Sequence, residues 1–211
     1  LPFLSFIMKY KGIALWLTGI CVVIFIIQIL IEGFTEMFLL NQQSLLQPWR
    51  FITAIFLHGS PGHLLYNAFA LALFGSMLEA LIGSKRFSLV FFITGIMANL
   101  ISLPFYDSAL GASGAIFGVL GALIILRPGM MVFVYGLPMP LFIAGILWIT
   151  GDILGIFSPS NVANLAHLGG IFLGFIFGAY YRKQIPSEKI HHSQVHFNER
   201  NIRSWEDHYM C

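Results

Sequence analysis

Charged residues are scarce in this sequence. Lys, Arg, Asp and Glu make up 9% of the 211 residues, whereas 58% are hydrophobic and the mean hydropathy is +0.85. A water-soluble domain carries about 25% charged residues, so water is not the main solvent of this chain. The net charge of +2 is scattered rather than gathered on one basic face, which excludes nucleic acid as a partner.

The sequence also has few cysteines and no evident internal repeat. The two cysteines are Cys21, inside an apolar block, and Cys211, the final residue, so the sequence predicts no disulfide framework. No internal repeat is evident, which argues against a small-molecule transporter built from inverted repeats. The first apolar block is too long for a signal peptide and is predicted to be a membrane span.

Apolar residues occur in blocks close to the ~20 residues that a helix needs to cross a bilayer. Because a backbone in lipid must satisfy its own hydrogen bonds, and barrel-like alternation is absent, we predict an all-α membrane protein. It is expected to be a six-helix transmembrane bundle with a short central fourth helix. The predicted spans are 13–31, 63–82, 87–105, 113–126, 138–157 and 161–181. A segment 1–12 precedes this 13–181 domain, and a polar tail 182–211 follows it.

The positive charges at the ends of the predicted spans fall on one side of the membrane. Such residues resist translocation and mark the cytoplasmic side. On the other side Arg50 stands alone, so both termini are expected to be cytoplasmic and the 32–62 loop external. The seven residues on the cytoplasmic side are Lys9, Lys11, Lys85, Arg86, Arg127, Arg182 and Lys183.

The sequence Gly111-Ala-Ser113-Gly114 opens the fourth predicted span. Ser113 could be a simple helix N-cap, since serine accepts a backbone hydrogen bond there. Alternatively it is a nucleophile, left exposed by small neighbours and close to helix amides that can bind an oxyanion. The second interpretation requires a base elsewhere in the chain.

His167 in the sixth predicted span is the candidate base. It could also be a packing histidine between helices. Glycines 170, 174 and 178 form a small-residue stripe that favours close helix packing, and Gly114, Gly118 and Gly121 offer a matching surface on the fourth span. Packing of the two stripes would bring His167 to Ser113.

His63 and Asn67 are four residues apart, so both side chains lie on one face of a helix. They could form a structural pair between helices or donate hydrogen bonds to a reaction intermediate. A metal site is not expected, because no His-Glu-x-x-His pattern surrounds His58 or His63 and no cysteine lies nearby. No cofactor is predicted.

Taken together, these motifs resemble the signature of the rhomboid family of intramembrane serine proteases over residues 13–181. The resembling pieces are Trp49-Arg50, His58, the His63-x-x-x-Asn67 pair, Gly111-Ala-Ser113-Gly114 and Ala166-His167-x-x-Gly170-x-x-x-Gly174, in the family's order.

The resemblance implies a Ser–His dyad that cleaves transmembrane segments of single-pass proteins inside the lipid bilayer. Ser113 would be the nucleophile and His167 the general base. His63, Asn67 and the Ser113 amide would form the oxyanion hole, and Trp49 and Arg50 would have a structural role. Neither Asp107 nor Asp152 is needed in this scheme, and each could be an interfacial residue. The site is expected in the outer half of the membrane and to open to the external side.

Two rival functions have weaker support in the sequence. Tyr106-Asp107 and Gly151-Asp152 partly match aspartyl intramembrane proteases, but Ile149 stands where the second motif requires glycine. A catalytically inactive rhomboid-like protein, acting as a membrane binding protein or chaperone, would be expected to lack Ser113 or His167. Both residues are present.

Overall fold

The computed structural model of the chain describes residues 12–134, 136–158 and 162–185. Within these ranges the protein is mostly helical. Residues 1–11 and 186–211 lie outside the described residues. The predicted N-terminal segment, with Lys9 and Lys11, and most of the predicted tail are therefore not covered.

Eight α-helices follow one another in the described residues. They are α1 (Ile13–Leu30), α2 (Phe34–Phe38), α3 (Arg50–Thr53), α4 (Pro61–Ile82), α5 (Ser84–Ser102), α6 (Ser113–Leu126), α7 (Leu141–Ile156) and α8 (Asn164–Arg182). Helix α4 contains one π-helical turn, Leu71–Gly75, and Gly83, which has a positive φ, separates α4 from α5.

Three of these helices, α1, α4 and α5, are long and apolar enough to cross a membrane. Helices α6 and α7 are apolar but shorter, with 14 and 16 residues. At 1.5 Å per residue α6 is about 21 Å long, less than the ~30 Å core of a bilayer. A residue at its first turn therefore cannot lie at one membrane surface if its last turn lies at the other.

Four helix boundaries differ from the prediction by three residues. Helix α5 runs from Ser84 to Ser102 instead of about 87–105, α7 begins at Leu141 instead of about 138, and α8 begins at Asn164 instead of about 161. Prolines explain the start of α7, because Pro138 and Pro140 lack the N–H that a helix interior requires.

The structure also contains two small antiparallel sheets, whereas the sequence predicts helices alone. Strand β1 (Leu40–Asn41) pairs with β2 (Ser108–Ala109), and β3 (Met131–Val134) forms a hairpin with β4 (Leu137–Pro140). In β3 the buried Val132 and Val134 alternate with exposed residues that are equally apolar. Hydropathy alone could not reveal this alternation.

Most residues of helix α6 are buried, and the helix packs against α4, α5, α7 and α8. Its glycines allow this close packing. A Cβ on Gly118 would collide with Thr94 of α5, and a Cβ on Gly121 would collide with the backbone of Ile171 of α8. The exposed faces of α1 and α7 are rich in large apolar side chains, as lipid-facing surfaces are.

A buried carboxylate holds the start of α1. The preceding residue, Gly12, has no side chain to cap the helix, and Glu79 of α4 takes over this role. Its carboxylate accepts hydrogen bonds from the amides of Ile13 (3.0 Å) and Ala14 (2.9 Å), and from the Ser84 hydroxyl (2.6 Å). The negative charge also matches the positive end of the helix dipole, so α1 is tied to α4.

Candidate active site

Ser113 is the first residue of α6, and the loop before it has a conformation that only glycine adopts easily. Gly111 has φ +124°, and its amide donates to the Ala54 carbonyl at 2.9 Å. The N-cap position belongs to Ala112, and no side chain caps the helix. Ser113 is therefore not an N-cap, and its hydroxyl is free for another partner.

That partner is His167 of α8. The Ser113 Oγ and His167 Nε2 are 2.8 Å apart, a hydrogen-bond distance. The imidazole lies flat against the ring of Phe117, with ring centroids 4.3 Å apart and planes 5° from parallel. Because Ser113 and Phe117 are four residues apart on α6, they share the face that meets His167.

Glycine packing between α6 and α8 sets this distance. A Cβ on Gly170 would collide with the Gly114 carbonyl oxygen, and a Cβ on Gly174 would collide with the Gly118 carbonyl oxygen. The two backbones are therefore in direct contact one turn beyond the site. Gly114 itself has no room for a side chain, because a Cβ there would lie 2.5 Å from the Ala98 Cβ.

A third polar residue, Asp152 of α7, contacts His167 at the ring nitrogen that does not face Ser113. Its Oδ1 lies 2.9 Å from His167 Nδ1, and its side chain is buried. From the sequence Asp152 could be an interfacial residue, and its buried contact with His167 overturns that interpretation. A carboxylate within an apolar membrane helix was itself the signal that could have found it, since such groups are costly unless they have a partner.

His63 and Asn67 of α4 face the loop before Ser113. The Gly59 amide donates to His63 Nδ1 at 3.4 Å, which leaves His63 Nε2 to carry the proton. A Cβ on Gly111 would lie 2.9 Å from His63 Nε2 and 3.7 Å from Asn67 Nδ2. Among the described residues Asn67 Nδ2 is buried without a hydrogen-bond partner. Two nitrogens that can donate hydrogen bonds thus lie next to Gly111, two residues before Ser113.

His58 lies behind His63 and is fully buried. Its Nδ1 donates to the Phe56 carbonyl at 3.2 Å, and its ring meets that of His63 edge-on at 5.1 Å. Burial, with a smaller effect of His63, lowers the pKa of His58 to about 4. The ring is therefore neutral at neutral pH and supports His63 rather than carrying charge.

Trp49 and Arg50 lie in the first loop, away from Ser113. Arg50 is buried, and its guanidinium donates to the carbonyls of Glu36 (2.9 Å) and Leu39 (2.8 Å) and to the side chain of Gln47 (2.6 Å). Trp49 precedes α3 and is half exposed. Arg50 thus holds the loop together, and the site does not include either residue.

The fold and the site together define a multi-pass integral membrane protein that holds a serine–histidine pair between its helices. Across the residues that the structure covers, no group of three His, Cys, Asp or Glu side chains is placed to bind a metal.

Sequence comparison identifies the family. Residues 45–184 match the Rhomboid domain. The Rhomboid protease GlpG of Haemophilus influenzae is 30% identical over 187 residues, which cover 82% of this chain and 93% of that protein. The chain therefore belongs to the rhomboid family, in which relatives are named as proteases.

Two further relatives are similar over a smaller share of their length. The Rhomboid protease GluP of Bacillus subtilis is 39% identical over 136 residues, 62% of this chain and 25% of that protein. RHOMBOID-like protein 7 of Arabidopsis thaliana is 34% identical over 134 residues, 63% of this chain and 42% of that protein. The chain thus spans a quarter of the first relative and less than half of the second.

Proposed function

We propose that this protein is an intramembrane serine endopeptidase that cleaves transmembrane segments of single-pass proteins. The observation that carries the proposal is the 2.8 Å contact between Ser113 Oγ and His167 Nε2 inside a membrane bundle. A serine hydroxyl is a weak nucleophile until an adjacent base removes its proton. His167 is such a base, and membership in a family with protease-named relatives supports the same activity.

In the first half of the reaction, Ser113 Oγ attacks the carbonyl carbon of the scissile peptide bond while His167 Nε2 takes the hydroxyl proton. The carbonyl electron pair moves to oxygen and forms a tetrahedral oxyanion. When the C–N bond breaks, protonated His167 gives its proton to the leaving amine. In the second half, His167 deprotonates a water that attacks the Ser113 ester. The ester C–O bond then breaks, His167 returns the proton to Ser113 Oγ, and the new carboxylic acid leaves.

The oxyanion is expected to bind to the donors beside Gly111. These are His63 Nε2, Asn67 Nδ2 and the backbone amide of Ser113, which lies in the first turn of α6 and has no intrahelical acceptor. Preorganised donors of this kind are worth about 3–4 kcal/mol each in a comparable serine protease. The buried and unpartnered state of Asn67 Nδ2 supports this role, because such a donor is costly without a ligand.

A small cavity adjoins the nucleophile. It has a volume of about 20 Å³, and Ser113, Asn99 and Ser102 line it together with glycine, alanine and leucine residues. A cavity of ~10–15 Å³ or more with polar partners can hold a water molecule. This supports a site in which the water needed for hydrolysis is kept next to Ser113.

The test is a fluorophosphonate probe, which reacts with activated serines, applied to the detergent-solubilised protein. Labelling of wild type and its absence in Ser113→Ala are expected. Equal labelling of both proteins would remove Ser113 as the nucleophile. An unlabelled wild type that still binds a transmembrane reporter peptide would instead favour an inactive, rhomboid-like binding protein.

Asn67→Ala is expected to lower kcat by about ten- to a thousandfold, because one oxyanion donor is lost while the others compensate in part. The KM for the reporter substrate should change much less, since the oxyanion exists only after attack. The measurement is steady-state kinetics on a quenched fluorescent transmembrane substrate. A raised KM with unchanged kcat would mark Asn67 as a docking residue.

We further propose six membrane spans, with α1, α4, α5, α6, α7 and α8 in a single 13–181 protease domain and both termini in the cytoplasm. Arg127 and Arg182 then mark the inner boundary. Ser113 and His167 precede them by fourteen and fifteen residues, which is about 21 and 22 Å of helix. In a core of about 30 Å the site would lie some 8–9 Å below the outer surface and open outward.

Cleavage is therefore expected in the outer half of the substrate's membrane segment. Segments that unwind easily, through Gly, Pro or other weak helix formers, should be preferred, because Ser113 needs an extended backbone. Mass spectrometry of the products locates the cut. A main scissile bond in the cytoplasmic third of the substrate span would overturn either this topology or this site.

A further inference from the structure

Asp152 is a buried carboxylate in a helix that is otherwise apolar at this level. Its neighbours Ile153 and Leu154 are 45% and 63% exposed, as expected for a surface that faces lipid. The Asp152 side chain is 8% exposed and turned inward to His167. Among the described residues its Oδ2 has no hydrogen-bond partner, so the contact with His167 is the interaction that the structure gives this costly group.

We propose that Asp152 is a positioning residue for the base, so that this protein works with a Ser113–His167–Asp152 triad. The resemblance to the family implies only a Ser–His dyad, and the additional carboxylate is a property of this chain's own α7. This inference rests on the proposed protease function.

The two ring nitrogens of His167 support this role. An ionised carboxylate can only accept hydrogen bonds. Asp152 at 2.9 Å from Nδ1 therefore favours the tautomer in which Nδ1 carries the proton. Nε2 is then free to accept the proton of the Ser113 hydroxyl, 2.8 Å away. Proton transfer in this direction is what attack by Ser113 Oγ requires.

The same carboxylate also stabilises His167 after it has taken the proton of Ser113. When His167 has taken the Ser113 proton, it carries a positive charge between its two partners. Within a low-dielectric bundle, a negative charge at hydrogen-bond distance stabilises this imidazolium strongly. The Phe117 ring stacked on His167 fixes the plane of the imidazole but offers no comparable acceptor for Nδ1.

Asp152→Asn separates this role from a structural one. Asparagine keeps the shape and one hydrogen bond but removes the charge and the strict preference for one tautomer. We expect kcat to fall by about a hundred- to ten-thousandfold, the upper value being that of the corresponding change in a soluble serine protease. KM should stay unchanged, and thermal stability should be equal or higher, because a buried charge has been removed.

The controls are Asp152→Glu and Asp107→Asn. Glutamate restores the charge and should recover part of the lost rate, whereas Asp107 is exposed in a loop and its change should have no effect. Wild-type kcat in Asp152→Asn would overturn the inference. So would a loss of rate that occurs only together with a lower melting temperature and a raised KM.

A measurement on the unaltered protein tests the same point without any variant at the aspartate. In ¹⁵N-histidine-labelled protein, His167 Nδ1 should show a strongly downfield-shifted proton, assigned by its absence in His167→Ala. A His167 signal protonated at Nε2 would overturn the inference. If wild type neither cleaves substrate nor reacts with fluorophosphonate, the proposed function fails, whereas full activity in Asp152→Asn removes only the triad.

Discussion

Ser113→Ala, His167→Ala and the double variant are expected to lose cleavage to the same extent. The nucleophile and its base act as one unit. Once one substitution has abolished their joint contribution to the rate, the second has no further effect. In a comparable serine protease each loss costs about 10⁶ in kcat. The measurement is turnover of a fluorescent transmembrane substrate, compared across the three variants and wild type.

The control for this prediction is the fold of the variants. Ser113 and His167 are joined by a single hydrogen bond, while glycine contacts hold α6 against α8. Thermal unfolding in detergent should therefore change little in either single variant. Near wild-type turnover of His167→Ala would mean that another base exists. It would exclude Ser113 and His167 as a catalytic pair. An additive loss in the double variant would show that the two residues act independently.

Gly174→Ala is expected to lower activity at least about a hundredfold, although Gly174 touches no reacting group. Its Cβ would collide with the Gly118 carbonyl oxygen and lie 2.9 Å from the Gly121 Cα. Backbone cannot turn aside as a side chain can, so α8 must move away from α6. A displacement of about 1 Å between a base and its nucleophile is enough for a loss of this size.

Two other glycine variants separate geometry from stability. Gly178→Ala creates a milder clash, with Ala122 and Ile125 of α6, eleven residues beyond His167, and should destabilise the protein by about 1–3 kcal/mol with a smaller effect on rate. Gly19→Ala in α1 meets nothing within 4 Å and should alter neither property. Equal activity of Gly174→Ala and Gly19→Ala would show that the stripe does not set the distance between Ser113 and His167.

Much of the helical arrangement could be predicted from the sequence, because the membrane leaves few alternatives. A polar residue in an apolar block is conspicuous, and this directed attention to Ser113, His167, His63 and Asn67. The glycine spacing predicted the close packing of α6 on α8 for a physical reason, since only glycine lets two helix backbones touch.

The sequence could not reveal what depends on contacts between distant residues. The role of Asp152 is not predictable from the sequence, because its partner His167 lies fifteen residues away on another helix and no local pattern joins the two. The β3–β4 hairpin was missed because its buried and exposed residues are equally apolar. The role of Glu79 as a cap for α1 joins residues 65 or more positions apart, which no periodicity can show.

The π turn at Leu71–Gly75 keeps the two halves of α4 on their present faces. It holds an extra residue within α4, between Asn67 beside Gly111 and Glu79 at the start of α1. Because the turn takes up this residue by widening, an α-helix one residue shorter would present Asn67 and Glu79 on nearly the same faces. A change to α-helical hydrogen bonding with the residue retained would instead rotate one half of α4 by about 100° relative to the other, and either Asn67 or Glu79 would leave its buried position. Relatives with one residue fewer in this helix are therefore expected to lack the π turn and to keep both residues.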